Sequence, residues 1–242
     1  MGTGEGIEKL FFELASENRL EILKELQTNT HKMQRIARIL DVTPTEALRQ
    51  LQRLSDAGLV QKQSDGTYTT TQYGKLVMQL SSSMEFISKH KEYFSTHDIM
   101  RLPCQFLNRI GELSQATLVL DTIENLNRGQ RLYADAEQYA WGLAEGIIPD
   151  SIGPIMDEKK TQGLDIRMLV PETFSIPSVT EPNVKMRGLS GLPLSIALTE
   201  RGAIVCFRFI EGRLDYAGFS GKDPIFLNWA RDLFLYYWDK GK

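Results

Sequence analysis

The chain is poor in the residues that build metal and redox chemistry. Its 242 residues include two cysteines, Cys104 and Cys206, and three histidines, His31, His90 and His97. The cysteines lie far apart and form no CxxC pair, whereas a structural zinc site needs about four clustered ligands. No metal site and no cofactor is expected. So little cysteine reads as a reduced, cytoplasmic protein without a disulfide framework. No run of about 18 apolar residues occurs, so no membrane-spanning helix is expected. The N-terminal stretch MGTGEGIEKLFFELASENR is acidic and lacks a long apolar segment, so it does not read as a signal peptide. Gly2 would suit N-myristoylation, but position 6 is Gly rather than Ser or Thr, which argues against it. An excess of positive charge is missing too: the formal net charge is -3. That excludes a chain basic over its whole surface, but not DNA binding, which needs only local charge.

What is present is ordinary globular material. Hydrophobic residues make up 42% and charged residues 24%, enough for a sizeable core in one large or two modest domains. There is no internal repeat. In the first ninety residues the apolar period is helical. Ile7, Leu10, Phe11 and Leu14 mark one helix. Ser16 reads as the N-cap of a second, with Leu20, Ile22, Leu23 and Leu26 on its apolar face. A third runs from about Lys32 to Leu40. Thr43 reads as the N-cap of a fourth, with Pro44 in the first position, where its missing N–H costs nothing. The fourth stops at Ala57-Gly58. Two short extended runs, Leu59–Gln63 and Thr67–Thr70, flank Ser64-Asp65-Gly66, and Asp-Gly in that setting predicts a hairpin. Thr71 then caps a helix over about Gln72–Lys91.

Around Ser95–Pro103 the pattern breaks, so domains of 1–94 and 95–242 are expected. Beyond the break, strands alternate with helices. Strands are expected over Thr117–Asp121, Gln138–Ala144, Leu164–Val170, Lys185–Gly188, Leu194–Thr199, Ala203–Phe209 and Asp215–Phe219. Helices are expected over Glu124–Asp135, Ile152–Gln162 and the aromatic-rich Pro224–Asp239. Such alternation predicts an α/β domain.

Four helices, a hairpin and a further helix make the order of a winged helix-turn-helix. In that motif one helix enters the major groove and the wing reaches flanking phosphates or the minor groove. On the fourth helix Leu48, Leu51 and Leu54 are expected to face the core, leaving Thr43, Thr45, Glu46, Arg49, Gln50 and Arg53 outside. Arg pairs bidentately with guanine and Gln with adenine. Lys32, Arg35 and Arg38 near the third helix, with Lys62 and Tyr68 on the wing, complete the expected double-stranded DNA contacts. Between His31 and Lys75 seven cations face four carboxylates, a local balance of +3 on an acidic chain, as phosphate contact requires. Each such charge taken singly also suits an ordinary solvated surface, and a winged helix can serve protein contacts instead.

SENRLEILKEL, RIARILDVTPTEALRQLQRLSDAGLV and DGTYTTTQYGK together resemble the winged-helix domains of the ArsR-like group. The metal-sensing members carry a cysteine motif in the recognition region, and this chain has none there, so metal sensing is not implied. LPCQFLNRIGELSQATLVL, GLDIRMLVPE and FRFIEGRLDYAGFSGKDPIFLNWARDLFLYYW resemble the archaeal methanogenesis regulatory protein family, which implies an archaeal transcription regulator. The C-terminal domain is also distantly similar to half of a phospholipase-D-type fold, as in archaeal sugar-sensing regulators. Enzymes of that fold use a His-x-Lys pair, and no histidine follows His97, so hydrolase activity is not carried over.

The expected fold is therefore α+β: an N-terminal winged helix-turn-helix followed by an α/β sensor-like domain. The expected function is DNA-binding transcriptional regulation by a homodimer, with no enzymatic activity and no membrane partner. Polar groups on apolar strands mark where a small-molecule effector could sit, because burying them unpaired costs energy. These are Trp141, Glu145, Arg167 and Arg187, with the two arginines holding an anion. The same groups could equally pair with internal acids or face solvent. Cys206 reads as inert core.

Overall fold

The computed structural model describes residues 6–145, 152–174 and 181–242. Gly2 lies outside the described residues. The chain divides into two compact units, Met1–Ser82 and Ser83–Lys242. The expected junction at 94/95 thus moves back into the trailing helix, because Phe86 and Tyr93 are buried in the core of the second unit.

The first unit is built from α1 (Ile7–Leu14), α2 (Glu17–Thr28), β1 (His31–Lys32), α3 (Met33–Ile39), α4 (Pro44–Asp56), β2 (Val60–Lys62) and β3 (Thr67–Thr70). The helix α5 (Gln72–Lys89) follows. Its core gathers Ile22, Leu23 and Leu26 of α2, Ile36 of α3, Leu51 and Leu54 of α4, and Leu59, Val60 and Tyr68 of the wing. Each such aliphatic side chain removed from water is worth about 1.5–3 kcal/mol. The turn between α3 and α4 is tight. Val42 N–H donates to the Ala37 carbonyl at 3.0 Å, and Asp41 takes φ +53°, a left-handed conformation that Asp tolerates better than most residues. Thr43 caps α4 as expected, its hydroxyl accepting from Glu46 N–H at 3.2 Å. Ser16 begins α2 without a side-chain cap bond. In α1, Leu10 and Leu14 pack on the core, while Ile7 and Phe11 are exposed.

The wing is a three-stranded sheet of order β1-β3-β2. Two residues of β1 are too short for any alternation to announce them. They pair with β3 through His31 opposite Tyr68 and Lys32 opposite Thr67. At the hairpin tip Gly66 takes φ +82° and Asp65 accepts from Thr67 N–H at 2.9 Å, the side-chain turn that favours Asp there.

The second unit holds a seven-stranded mixed sheet of order β4-β10-β9-β8-β5-β6-β7. Its strands are β4 (Thr117–Val119), β5 (Tyr139–Leu143), β6 (Asp165–Pro171), β7 (Val184–Leu189), β8 (Leu194–Thr199), β9 (Gly202–Phe207) and β10 (Gly218–Gly221). β5, β6 and β7 run parallel, and the remaining pairs are antiparallel. The short helices α6 (Lys91–Thr96) and α7 (Cys104–Leu107) precede the sheet, in a stretch without an apolar period. β9 is buried along its whole length, as a central strand covered on both faces must be. Alternate residues of each strand serve opposite faces. On one face Ala140, Ile166 and Met168 meet Tyr133 at the end of α8 (Thr122–Ala134) and Met156 of α9 (Gly153–Thr161). On the other, Trp141, Leu143 and Leu169 meet Trp229, Leu233 and Phe234 of α10 (Pro224–Trp238), with Phe106, Ile110 and Leu113. The last strand starts at Gly218 rather than Asp215, because Asp215 is committed to contacts with His97 and Ala217 N–H.

Two helix-interior glycines separate in sign once their surroundings are known. A Cβ on Gly74, in the first turn of α5, would stand 2.1 Å from the Leu59 carbonyl oxygen, and backbone cannot yield as a side chain can. A Cβ on Gly129 in α8 would meet only Ile204 Cδ1 at 3.7 Å. Gly74→Ala is therefore expected to destabilise the protein by about 1–3 kcal/mol, and Gly129→Ala to stabilise it by up to about 1 kcal/mol through helix propensity. Denaturant melts of the two variants against wild type would measure this, and equal shifts of one sign would refute it.

Candidate nucleic-acid interface

The outward face of α4 is set by what its inward face buries. Ala47, Leu51 and Leu54 are fully buried. One or two positions from these and so turned away from them, Thr45, Leu48, Arg49 and Gln52 are exposed and form one stripe at i, i+3, i+4 and i+7. Two expectations are corrected here. Leu48 does not face the core but is 47% exposed. Gln50 is not outside but 5% exposed, where its Oε1 accepts from Arg19 Nη1 at 3.1 Å and its amide donates to Glu46. Gln52, unnamed among the expected contacts, takes the outer place. The helical wheel alone carried this signal, had the arc been centred on Ala47 and Leu51 instead of Leu48.

A buried ion cluster explains the rotation. Glu13, on α1, is 5% exposed. Its carboxylate receives both Arg53 Nη2 at 2.6 Å and Arg53 Nε at 3.1 Å, and Arg19 Nε lies 3.0 Å away. Arg19 also donates to the carbonyls of Glu13 and Phe12, each at 2.8 Å. The Phe12 ring lies 5.0 Å from the Arg53 guanidinium carbon. The Arg53 hydrogen bonds, with the charges of both arginines, hold the Glu13 carboxyl below its ordinary range. Arg53, expected to read bases, is thus tied to α1.

Arg49 is held more loosely. It pairs with Glu46 one turn earlier, at 2.9 Å, with its side chain 66% exposed. Exposed pairs of this kind contribute little in water, so Arg49 can exchange its partner for a base edge at small cost. Lys32, Arg35, Arg38 and Lys62 are all exposed, and among the described residues none of the four is in an ion pair. Arg35 and Arg38 share the solvent side of α3, opposite buried Ile36 and Ala37. Thr43 and Thr45 are exposed at the start of α4. Tyr68 is a further correction: it is 7% exposed and belongs to the core, because β3 alternates inward at Tyr68 and Thr70.

In the second unit three of the four expected effector residues come together. The Arg167 guanidinium carbon lies 4.5 Å from the Trp141 ring and 5.7 Å from the Trp238 ring. Arg187 lies 4.6 Å from the Trp238 ring. Both guanidiniums are engaged by the protein: Arg167 with Asp165 at 3.0 Å, and Arg187 with the Trp238 carbonyl at 2.7 Å. Asp165 also accepts from Trp141 Nε1 at 3.0 Å. This ladder pins the C-terminal end of α10 to the sheet. Glu145 is not part of it and pairs with Arg208. His97 is buried, stacked on Tyr93 at 3.7 Å, with Nδ1 against the Tyr93 carbonyl and Nε2 against Asp215.

Fold and surface define a class: a winged helix-turn-helix unit and a mixed-sheet α/β unit in one chain. Residues 7–89 match the family model described as the HVO_A0261 N-terminal domain. No curated protein matches the chain. Among solved structures the chain is similar to TrmBL2, described as an archaeal chromatin protein with a novel mode of DNA binding, at 11% identity, 94% coverage of each chain and a TM-score of 0.44. NucT from Helicobacter pylori shows 12% identity over 52% of this chain and 96% of its own, with a TM-score of 0.42. Nuc from Salmonella typhimurium, described as a phospholipase D family member, shows 10% identity over 48% of this chain and 88% of its own, with a TM-score of 0.37. All three likenesses are remote.

The ion cluster has a pH signature. Because the folded Glu13 carboxyl titrates below its ordinary value near 4.3, its contribution to stability is fully present above about pH 5 and is lost as pH falls through the lowered folded value. Wild-type melting is expected to drop steeply below about pH 4, and Glu13→Gln to flatten that drop. Arg53→Ala is expected to lower the melting temperature at neutral pH by leaving part of a buried carboxylate without its donor. Thermal melts from pH 7 to 3 would decide, and parallel curves for wild type and Glu13→Gln would count against the cluster.

Proposed function

We propose that the chain is a sequence-specific DNA-binding transcriptional regulator that acts as a homodimer and responds to a small effector. The observation that carries the DNA reading is the exposed stripe Thr45, Leu48, Arg49 and Gln52 on α4. Its chemistry suits base edges: methyl contacts from Thr45 and Leu48 to thymine, Arg49 to guanine and Gln52 to adenine. The exposed cations Lys32, Arg35, Arg38 and Lys62, in no ion pair among the described residues, suit phosphates, which position a protein without reading sequence. Glu46 holds Arg49 on the same face of α4. The similarity of residues 7–89 to a family defined by its N-terminal domain is compatible with this.

Binding should be tested by fluorescence anisotropy on the DNA upstream of the chain's own gene, at two salt concentrations. Arg35→Ala and Arg38→Ala are expected to weaken binding to all sequences alike, each reducing the slope of log affinity on log salt by about 0.9. Arg49→Ala is expected to lose about 1–3 kcal/mol of discrimination between operator and random DNA. Absence of salt-dependent binding in the wild type would shift the reading to a protein-interaction module.

The dimer reading rests on α5. Within the first unit Tyr73, Leu76 and Leu80 are 49–67% exposed, and they recur at spacings of three and four. This is the 3.5-residue spacing of a seam between two packed helices. Monomeric proteins rarely leave such a stripe in water, and a second copy of α5 would cover it. Light scattering is expected to give a dimer for the wild type and a monomer for Leu76→Asp/Leu80→Asp, whose sites are exposed and not needed for the fold. A monomeric wild type at micromolar concentration would overturn the reading.

A further inference from the structure

On the sheet face covered by α8 and α9 the packing leaves a cavity of about 90 Å3. Its floor and walls are mostly apolar, with Met156, Met168 and Ile204 among them. One polar group in it is out of balance. Asn125, on α8, is 2% exposed and lines the cavity. Its Nδ2 donates to the Tyr216 carbonyl at 2.7 Å and reaches Cys206 Sγ at 3.5 Å. Its Oδ1 has no hydrogen-bond partner and is the one such buried side-chain atom among the described residues. The amide cannot be turned round to cure this. A carbonyl only accepts, so the Tyr216 oxygen requires the amide nitrogen on its side. Burial raises the titration of the Cys206 thiol, so it stays protonated and serves as a weak donor to the same Tyr216 carbonyl at 3.4 Å.

Three departures from stable packing thus meet at one place. Among the described residues a half-open hollow is left against the sheet where packing is normally close. A buried acceptor is left unpaired where such groups are normally satisfied. Gly129, one turn beyond Asn125 on α8, withholds a side chain from the same cavity although a Cβ would fit, 3.7 Å from Ile204. The two methionines add a wall that can repack around an occupant. A functional pocket combines an apolar lining with a few placed polar groups, and this cavity has that composition. The Arg167 and Arg187 ladder, with both guanidiniums engaged, does not.

We propose that this cavity is the effector site and takes a small, largely apolar molecule about the size of one aromatic ring, whose seating uncovers Asn125 Oδ1, closed to solvent in this structure, so that it accepts a single hydrogen bond from the ligand. Apolar cavities of this order admit such a ring. The proposal deepens the effector part of the function proposed above. Its test uses no DNA, so either reading can fail while the other stands.

The probes are phenol and toluene, matched in shape and differing in the donor. Each is titrated into the full chain and followed by amide chemical shifts. Phenol is expected to bind and to move the signals of Asn125, Gly129 and Ile204, with toluene at least about fivefold weaker, the usual worth of one hydrogen bond. Ala197→Ile, on β8 opposite Ile204, narrows the cavity with Asn125 intact and is expected to abolish binding of both. Asn125→Leu is expected to bind toluene as well as phenol. If that variant does not fold, the wild-type ratio and Ala197→Ile carry the test alone. Equal affinity for the two probes, no binding of either, or binding indifferent to Ala197→Ile would overturn the proposal.

Discussion

Much of the first unit hangs on a carboxylate buried among arginines. Glu13 is taken out of water beside Arg19 and Arg53. Removing a charge from water costs several kcal/mol and is repaid only when its oxygens are fully bonded. Here both oxygens receive guanidinium donors, and Arg19 spends its remaining donors on backbone carbonyls and on Gln50. The cluster ties α1, α2 and α4 to one another and leaves α4 a single rotation. With Gln50 drawn inward, Leu48, Arg49 and Gln52 are turned out. The chemistry of the candidate DNA surface follows from a contact on the opposite side of the helix.

The division of the basic residues follows the same physics. Arg19 and Arg53 are consumed by structure, Arg49 is lent to Glu46, and among the described residues Lys32, Arg35, Arg38 and Lys62 are in no ion pair. A count of seven cations over His31–Lys75 therefore overstates what a phosphate backbone could use. Arg53 enters that count, while its partner Glu13, some forty residues earlier, does not.

The second unit shows two ways of finishing one sheet. On the α10 side aromatic rings stack closely, with Trp141 and Phe234 at 5.2 Å and Phe234 and Trp238 at 5.8 Å. Arg167 and Arg187 lie against the edge of that stack. On the α8 side glycine, alanine and methionine stand where larger residues could, and an amide oxygen is left without a donor. The first face is built for rigidity. The second retains room and an unmet hydrogen bond, the combination a ligand can complete.

The amino-acid sequence by itself determined the elements that local chemistry specifies. Thr43-Pro44 starts α4, Asp65-Gly66 turns the wing, and apolar periods of 3.6 and 2 separate the helices from the strands. The helix-helix-wing order and the α/β alternation were legible for that reason. The two-residue β1 was not, because so short a strand exists only through its pairing with Tyr68 and Thr67. Only the tertiary structure decided which side of each element faces in. A heptad holds several arcs of nearly equal apolarity, and Leu48 against Gln50 is such a tie, broken by Arg19 from a different helix. It also decided that Tyr68 is core, that Arg167 and Arg187 brace α10, and that Asn125 keeps an unpaired acceptor beside a cavity. Partners and voids of this kind arise between residues dozens of positions apart, and no local pattern records them.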